Sequence, residues 1–111
     1  MRQQLATALD GSKLIVYISG PMSGLPNCNR EAFHAVHALL ETLDNVDKII
    51  NPAILPPDWS WERCMEYDLA ALKEATHVIM LPGYENSKGA MMEYELAKTL
   101  NLTIIAMEQL P

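Results

Sequence analysis

Basic residues are scarce in this sequence. Eight Lys and Arg residues stand against 14 Asp and Glu among 111 residues, which gives a formal net charge of -6 at pH 7. Contacts to the phosphates of a nucleic-acid polymer need a clustered excess of Lys and Arg, so no such polymer is expected as a partner. A small anionic ligand is not excluded, because backbone N–H groups at the start of a helix bind anions without any net positive charge.

Cysteines and long apolar runs are also scarce. Cys28 and Cys64 fit no zinc-site spacing and are too few for a disulfide framework, so we expect two reduced thiols. The first twelve residues lack the apolar core of a signal peptide, and no apolar run has the roughly 20 residues that span a membrane. We therefore expect a cytoplasmic protein that does not bind a membrane, and no motif indicates a cofactor.

Short apolar runs alternate with amphipathic segments along the chain. Strands are predicted at 13–18, 47–50, 76–81 and 102–106. Helices are predicted to begin at the caps Asn29, Ser60 and Ser87, the first ending near Leu43 and the second near Ala75. This order predicts a three-layer α/β fold, Rossmann- or flavodoxin-like, with helices flanking a mostly parallel sheet of four to five strands. One domain is expected over residues 13–111, after a flexible, weakly helical lead-in at 1–12.

Two acids lie on the apolar side of their predicted helices. A rotation of about 100° per residue places Glu93 on the same face as Ala97, and Asp68 on the same face as Leu72. Burying an unpaired carboxylate costs several kcal/mol, so each must be paired, hydrogen-bonded or lining a cavity. In an open parallel sheet, that cavity lies beyond the carboxyl ends of the strands. Glu95, in contrast, is predicted to face solvent.

Each of these residues also has a simpler interpretation. Glu93 could do no more than cap backbone N–H groups at its helix N-terminus. Asp68 could pair with Arg63 or Lys73, and Tyr17 could be a core aromatic of the first strand.

Other side chains of the same segments leave alternatives open. Trp59 and Trp61 could stack on a base, although the helical position of Trp61 favours core packing around the Ser60 cap. His34 and His37 have a spacing that a metal could use, but no third ligand is evident, so we expect surface histidines and no metal.

Three motifs in chain order resemble those of the nucleoside 2-deoxyribosyltransferase superfamily, which includes the deoxynucleoside 5′-monophosphate N-glycosidases. The motifs are Val16-Tyr-Ile-Ser-Gly20, Tyr67-Asp-Leu69 and Ser87-x-Gly89-x-x-x-Glu93. The resemblance covers about residues 13–107. The runs from Asn51 to Glu62 and from Gly83 to Ala90 look closest to small phage and bacterial relatives in that superfamily.

The resemblance implies cleavage or transfer at the N-glycosidic bond of a 2′-deoxynucleoside or its 5′-monophosphate. By position, Glu93 matches the glutamate that attacks the anomeric carbon, Asp68 the aspartate that helps the base leave, and Tyr17 the tyrosine that hydrogen-bonds the glutamate. Ser87 and Gly89 match the turn that meets the 5′ group of the sugar. A homodimer is also implied, in which the neighbouring subunit closes the pocket. Whether water or a second base completes the reaction stays open.

The loop after the first strand differs from that of the monophosphate-cleaving relatives. They carry a basic residue where this chain has Ser23, and the spacing from Gly20 to Gly24 matches no phosphate-binding motif. Either Ser19, Ser23, Ser87 and the helix N-termini bind a phosphate through hydroxyl and N–H groups, or the substrate is an uncharged nucleoside, or it is another molecule. Gly20 and Gly89 are also expected to contact the substrate. Two other functions are considered: an inactive nucleotide- or nucleotide-sugar-binding module, and a phage or bacterial accessory protein.

Overall fold

A computed structural model describes residues 1–111. Its strands are β1 (Leu14–Ser19), β2 (Val46–Ile50), β3 (His77–Met80) and β4 (Thr103–Ala106). Its helices are α1 (Arg2–Ala8), α2 (Arg30–Glu41), α3 (Trp61–Leu72) and α4 (Lys88–Thr99). Short 3₁₀ turns lie at Pro26–Asn29, Pro52–Ile54, Tyr84–Asn86 and Met107–Gln109. None of the helices combines the length and the apolar character that crossing a membrane requires.

The four strands form one parallel sheet in the order β2-β1-β3-β4. Helices flank this sheet, so the predicted three-layer α/β fold is confirmed. In the register of the two central strands, Ser19 lies opposite Met80, and the carboxyl ends of β1 and β3 therefore meet at one edge. The loops that leave this edge come together above the sheet, which is where ligands bind in open α/β folds.

Alternate side chains of β1 point to opposite faces of the sheet. Val16 and Ile18 belong to the core that Leu5 and Phe33 join from α1 and α2. Tyr17 belongs to the second core, with Leu72 of α3 and members of α4. This alternation follows from the two-residue period of a strand, and it directs Tyr17 and Ser19 toward the same face.

The first twelve residues pack on the domain, which differs from the flexible lead-in expected for 1–12. Leu5 is 0% exposed and Leu9 is 1% exposed, and both belong to the main core cluster. Leu9 directly follows α1, and its spacing of one helical turn from Leu5 places both side chains on the same face. Arg2 Nε donates a hydrogen bond to Thr42 Oγ1 at 2.7 Å, which ties α1 to the end of α2.

Two of the three predicted helix caps are confirmed. Ser60 Oγ accepts a hydrogen bond from Arg63 N–H at 3.1 Å, and Ser87 Oγ accepts one from Ala90 N–H at 3.2 Å. The cap predicted at Asn29 is wrong. That residue adopts a left-handed conformation with φ of 58°, makes no side-chain cap, and donates instead from Nδ2 to the Pro21 carbonyl at 2.9 Å.

Candidate functional site

A cavity of about 230 Å³ opens beside the carboxyl edge of the sheet. Its walls come from the loop after β1, the start of α2, the proline-rich loop after β2, α3 as far as Asp68, and the N-terminal half of α4. The residues that line it include Asp68 and Glu93, the two acids assigned from the helical pattern to inward faces. Both are buried, at 6% and 5% exposed, which confirms those inward positions.

Glu93 accepts a hydrogen bond on each of its carboxylate oxygens. Ser19 Oγ donates to Oε1 at 2.5 Å, and the Tyr17 hydroxyl donates to Oε2 at 2.9 Å. Tyr17 and Ser19 stand two residues apart on β1 and so project from the same face of the sheet. The Ser87 cap begins α4 at the point that brings Glu93 over this pair. Two separate segments of the sequence, β1 and the capped start of α4, therefore fix one carboxylate.

Burial governs the protonation of Glu93 and of its neighbour Tyr17. Desolvation raises the pKa of Glu93 to about 8; the hydrogen bond from Ser19 opposes this shift, and the negative charge of Asp68 adds to it. The pKa of Tyr17 is raised first by burial and then by the charges of Glu93 and Asp68. Tyr17 therefore stays protonated and remains a hydrogen-bond donor to Glu93.

Asp68 lines the cavity and has one buried oxygen without a partner. Its Oδ1 atom is buried and accepts no hydrogen bond, and no Lys or Arg forms a salt bridge with this carboxyl. Pairing with Arg63 or Lys73 is therefore wrong. Desolvation raises the pKa of Asp68, and interactions with Glu93 and Tyr17 act in the opposite direction. The two acids thus titrate as a coupled pair, in which the burial of two charges favours retention of one proton.

The aromatic wall of the cavity carries two cations on its outer side. Trp59 and Trp61 both line the cavity. The Arg63 guanidinium lies 3.9 Å from the centre of the Trp59 ring, and Lys88 Nζ lies 4.9 Å from that of Trp61. Trp61 is 37% exposed, so the core-packing interpretation of this side chain is wrong.

The predicted site residues fall into two groups. Gly20, Ser23, Ser87 and Gly89 line the cavity with both acids. Tyr17 and Ser19 do not line it, and both are 0% exposed behind Glu93. The substrate contact expected of Ser19 is therefore replaced by a contact that positions Glu93. The reason is that the last side chain of β1 still points onto the sheet face under α4.

Arg30 is the principal site residue that the sequence analysis missed. It lines the cavity with Cys28 and Cys64, both of which are free thiols, as expected. Three successive residues before Arg30 have positive φ values of 51°, 52° and 58°, and this left-handed turn starts α2 at the cavity wall. Asparagine at two of the three positions was the available signal, because Asn tolerates this conformation better than most residues.

The two histidines of α2 share a different neighbour. Nδ1 of His34 and Nδ1 of His37 lie 3.3 and 3.1 Å from Asn51 Nδ2, at the end of β2. No group of three or more His, Cys, Asp or Glu side chains is arranged to hold a metal ion. These histidines therefore contact the buried Asn51 side chain that begins the proline-rich loop.

One family model matches most of the chain. The match covers residues 14–106, and the family is described as "Domain of unknown function (DUF4406)". No curated protein has significant sequence similarity to the chain. The family description names no activity, so the resemblance to the nucleoside 2-deoxyribosyltransferase superfamily stays a prediction.

Proposed function

Since the chain belongs to the DUF4406 family of unknown function, we propose a function from its site: cleavage or transfer at the N-glycosidic bond of a 2′-deoxynucleoside or its 5′-monophosphate. The observation that carries this proposal is the geometry of Glu93. A buried carboxylate that is held by two hydrogen-bond donors, beside a second acid in an open cavity, suits a nucleophile. The resemblance of the Ser87–Glu93 motif gives the proposal further support.

The first step forms a bond from Glu93 to the sugar. A Glu93 oxygen attacks the anomeric carbon as the carbon–nitrogen bond to the base breaks, and the bonding electrons leave on the base nitrogen. The transition state resembles an oxocarbenium ion, which a negative carboxylate beside it stabilises. Tyr17 and Ser19 orient the attacking group, because each donates to one of its oxygens. The product of this step is a glycosyl ester of Glu93.

Asp68 supplies the proton that the departing base needs. The hydrogen bonds from Tyr17 and Ser19 favour the negative charge on Glu93, whereas Oδ1 of Asp68 receives no such bond. The reactive form is the one with the single proton of the coupled pair on Asp68 and with Glu93 as the carboxylate, although burial raises the pKa of Glu93, to about 8, further than that of Asp68, to about 7. A buried acid whose pKa is raised toward neutrality is suited to general acid catalysis.

The second step releases the sugar. Water or a second base attacks the anomeric carbon of the ester, Glu93 leaves as a carboxylate, and Asp68 takes back the proton that the attacking group loses. Attack by water gives a hydrolase, and attack by a base gives a transferase. We propose that the reaction occurs in the cytoplasm, which is consistent with two free thiols.

A substrate panel tests this proposal. The wild-type protein is incubated with the four common 2′-deoxynucleosides and their 5′-monophosphates, and free base is measured by chromatography over time. We expect base release from at least one compound. A parallel set with an added second base distinguishes transfer from hydrolysis, since transfer yields a new nucleoside. The absence of free base and of exchange across the whole panel would contradict the proposal. Binding of these compounds without turnover would then favour the inactive binding module.

A further inference from the structure

Arg30 is the only basic residue among those that line the cavity. It is partly buried, forms no salt bridge, and makes no side-chain hydrogen bond within the protein. A guanidinium group has five N–H donors and no acceptor. The Arg30 guanidinium group therefore has hydrogen-bond donors without partners, in a cavity whose other charged residues are acids.

Arg30 lines the cavity together with Cys64 of α3. The pKa of Cys64 is raised by burial and by the charge of Asp68, and the positive charge of Arg30 is among those that lower it. Cys64 stands one helical turn before Asp68, so the two side chains share a face of α3. Arg30, Cys64 and Asp68 thus line one cavity, in which Oδ1 of Asp68 has no partner.

The N-terminus of α4 forms a second polar end of the same cavity. Ser87 Oγ caps the Ala90 N–H, while the N–H groups of Lys88 and Gly89 have no partner. Such groups suit an oxyanion or a hydroxyl group. Gly89 keeps this end open, because a Cβ atom there would lie 3.2 Å from Met65 Sδ and 3.6 Å from Trp61 Nε1.

We propose that Arg30 recognises the leaving base and selects bases with a carbonyl oxygen, the 6-oxopurines and 4-oxopyrimidines, over those with an amino group at that position. This inference rests on the proposed function. With the sugar over Glu93 and its 5′ end at the α4 N-terminus, the base occupies the rest of the cavity, which Asp68 and Arg30 both line. A carbonyl oxygen of the base accepts a hydrogen bond from the guanidinium group. An amino group at the same position is itself a donor, so it cannot form this hydrogen bond.

The two tryptophans of the protein report directly on this cavity. Both of them line it, and the chain has no others. Tryptophan fluorescence of the Glu93→Gln variant, which removes the proposed nucleophile, therefore measures binding without turnover. The ligands are 2′-deoxyinosine with 2′-deoxyadenosine, and 2′-deoxyuridine with 2′-deoxycytidine, each with and without a 5′-phosphate. Within each pair, the main change is from a carbonyl to an amino group.

Arg30→Met is compared with Lys73→Met, which removes an equal charge from an exposed position at the end of α3. We expect Arg30→Met to raise the Kd of the carbonyl members by about 10- to 100-fold, with little change for the amino members. Lys73→Met should leave all eight Kd values unchanged. Arg30→Lys keeps the positive charge but lacks the planar guanidinium group, so it should weaken binding of the carbonyl members less than Arg30→Met does. Arg30→Lys also replaces Arg30→Met in the test if the latter fails to fold.

Two results would overturn the inference. If Arg30→Met weakens the binding of the 5′-monophosphates equally for every base and leaves the binding of the nucleosides unchanged, Arg30 binds the phosphate. If no Kd changes, Arg30 does not contact the ligand. Failure of the proposed function gives a different result, because the carbonyl preference in binding would persist while the wild-type protein releases no base from any of the eight compounds.

Discussion

At the scale of single residues, the two acids of the cavity differ in their partners. Glu93 accepts from Ser19 and Tyr17, whereas Asp68 leaves Oδ1 without a partner in a buried position. An unpartnered buried carboxylate destabilises the folded protein whenever it is charged. The fold keeps a charge-bearing group there at a cost to stability, which is common where a side chain serves binding or catalysis.

This cost has a defined pH dependence. Burial raises the pKa of Asp68 to about 7 in the folded protein, from an unfolded value of about 4. Between these values the folded state holds more protons than the unfolded state, so its stability falls as pH rises from about 4 to 7. Asp68→Asn removes this titration. We therefore expect the difference between its thermal unfolding midpoint and that of the wild type to grow by several degrees from pH 5 to pH 8.

The matched control for this measurement is Glu66→Gln, which changes an exposed carboxyl on the same helix. We expect its midpoint to follow that of the wild type at both pH values. Calorimetric scans at pH 5 and pH 8 provide the comparison. An equal effect of Asp68→Asn at the two pH values would show that Asp68 carries no buried charge at pH 8.

At the scale of elements, the junction of β1 with its loop is tightly packed. A Cβ atom on Gly20 would lie 2.7 Å from Leu81 Cβ, and the backbone on either side is held because Leu81 N–H donates to the Ser19 carbonyl at 2.8 Å. The glycine that was expected to contact substrate thus also lets the two central strands end side by side.

We therefore expect Gly20→Ala to lower the free energy of unfolding by about 1–3 kcal/mol, because overpacking here cannot be relieved without moving the backbone. Chemical denaturation measures the change. The control is Gly89→Ala, where the nearest atom is Sδ of the flexible Met65 side chain at 3.2 Å, and alanine favours the helix. A loss of stability in Gly89→Ala as large as that in Gly20→Ala would contradict this explanation.

The element scale also shows what the sequence could predict. The inward faces of Glu93 and Asp68 followed from helical periodicity alone, because α3 and α4 are regular and capped by serine. Arg30 could not be found in this way, since its position depends on the left-handed turn at 27–29 and on contacts across the cavity. The exposure of Trp61 was missed for a related reason: at the first turn of α3 the inward face borders the cavity instead of the core.

At the scale of the whole molecule, the alternation of strands and helices was sufficient to predict the architecture. The packing of α1 was not predicted, because the polar composition of residues 1–12 obscured two core leucines one turn apart. The expected homodimer stays a prediction. Exposed apolar side chains on α3 and α4, Trp61, Tyr67 and Met92, are consistent with it. Sedimentation velocity should give a dimer at micromolar concentration, and a monomer at every concentration would contradict this expectation.

In the proposed reaction, Glu93 is the nucleophile. The most direct test compares base release by Glu93→Gln and Glu95→Gln, two changes of the same type on one helix, in which only Glu93 is buried at the cavity. On the best substrate of the panel, we predict that Glu93→Gln lowers the rate by at least about 1,000-fold, while Glu95→Gln stays close to wild type. A Glu93→Gln protein that is folded and releases base at a rate near that of the wild type would contradict the claim.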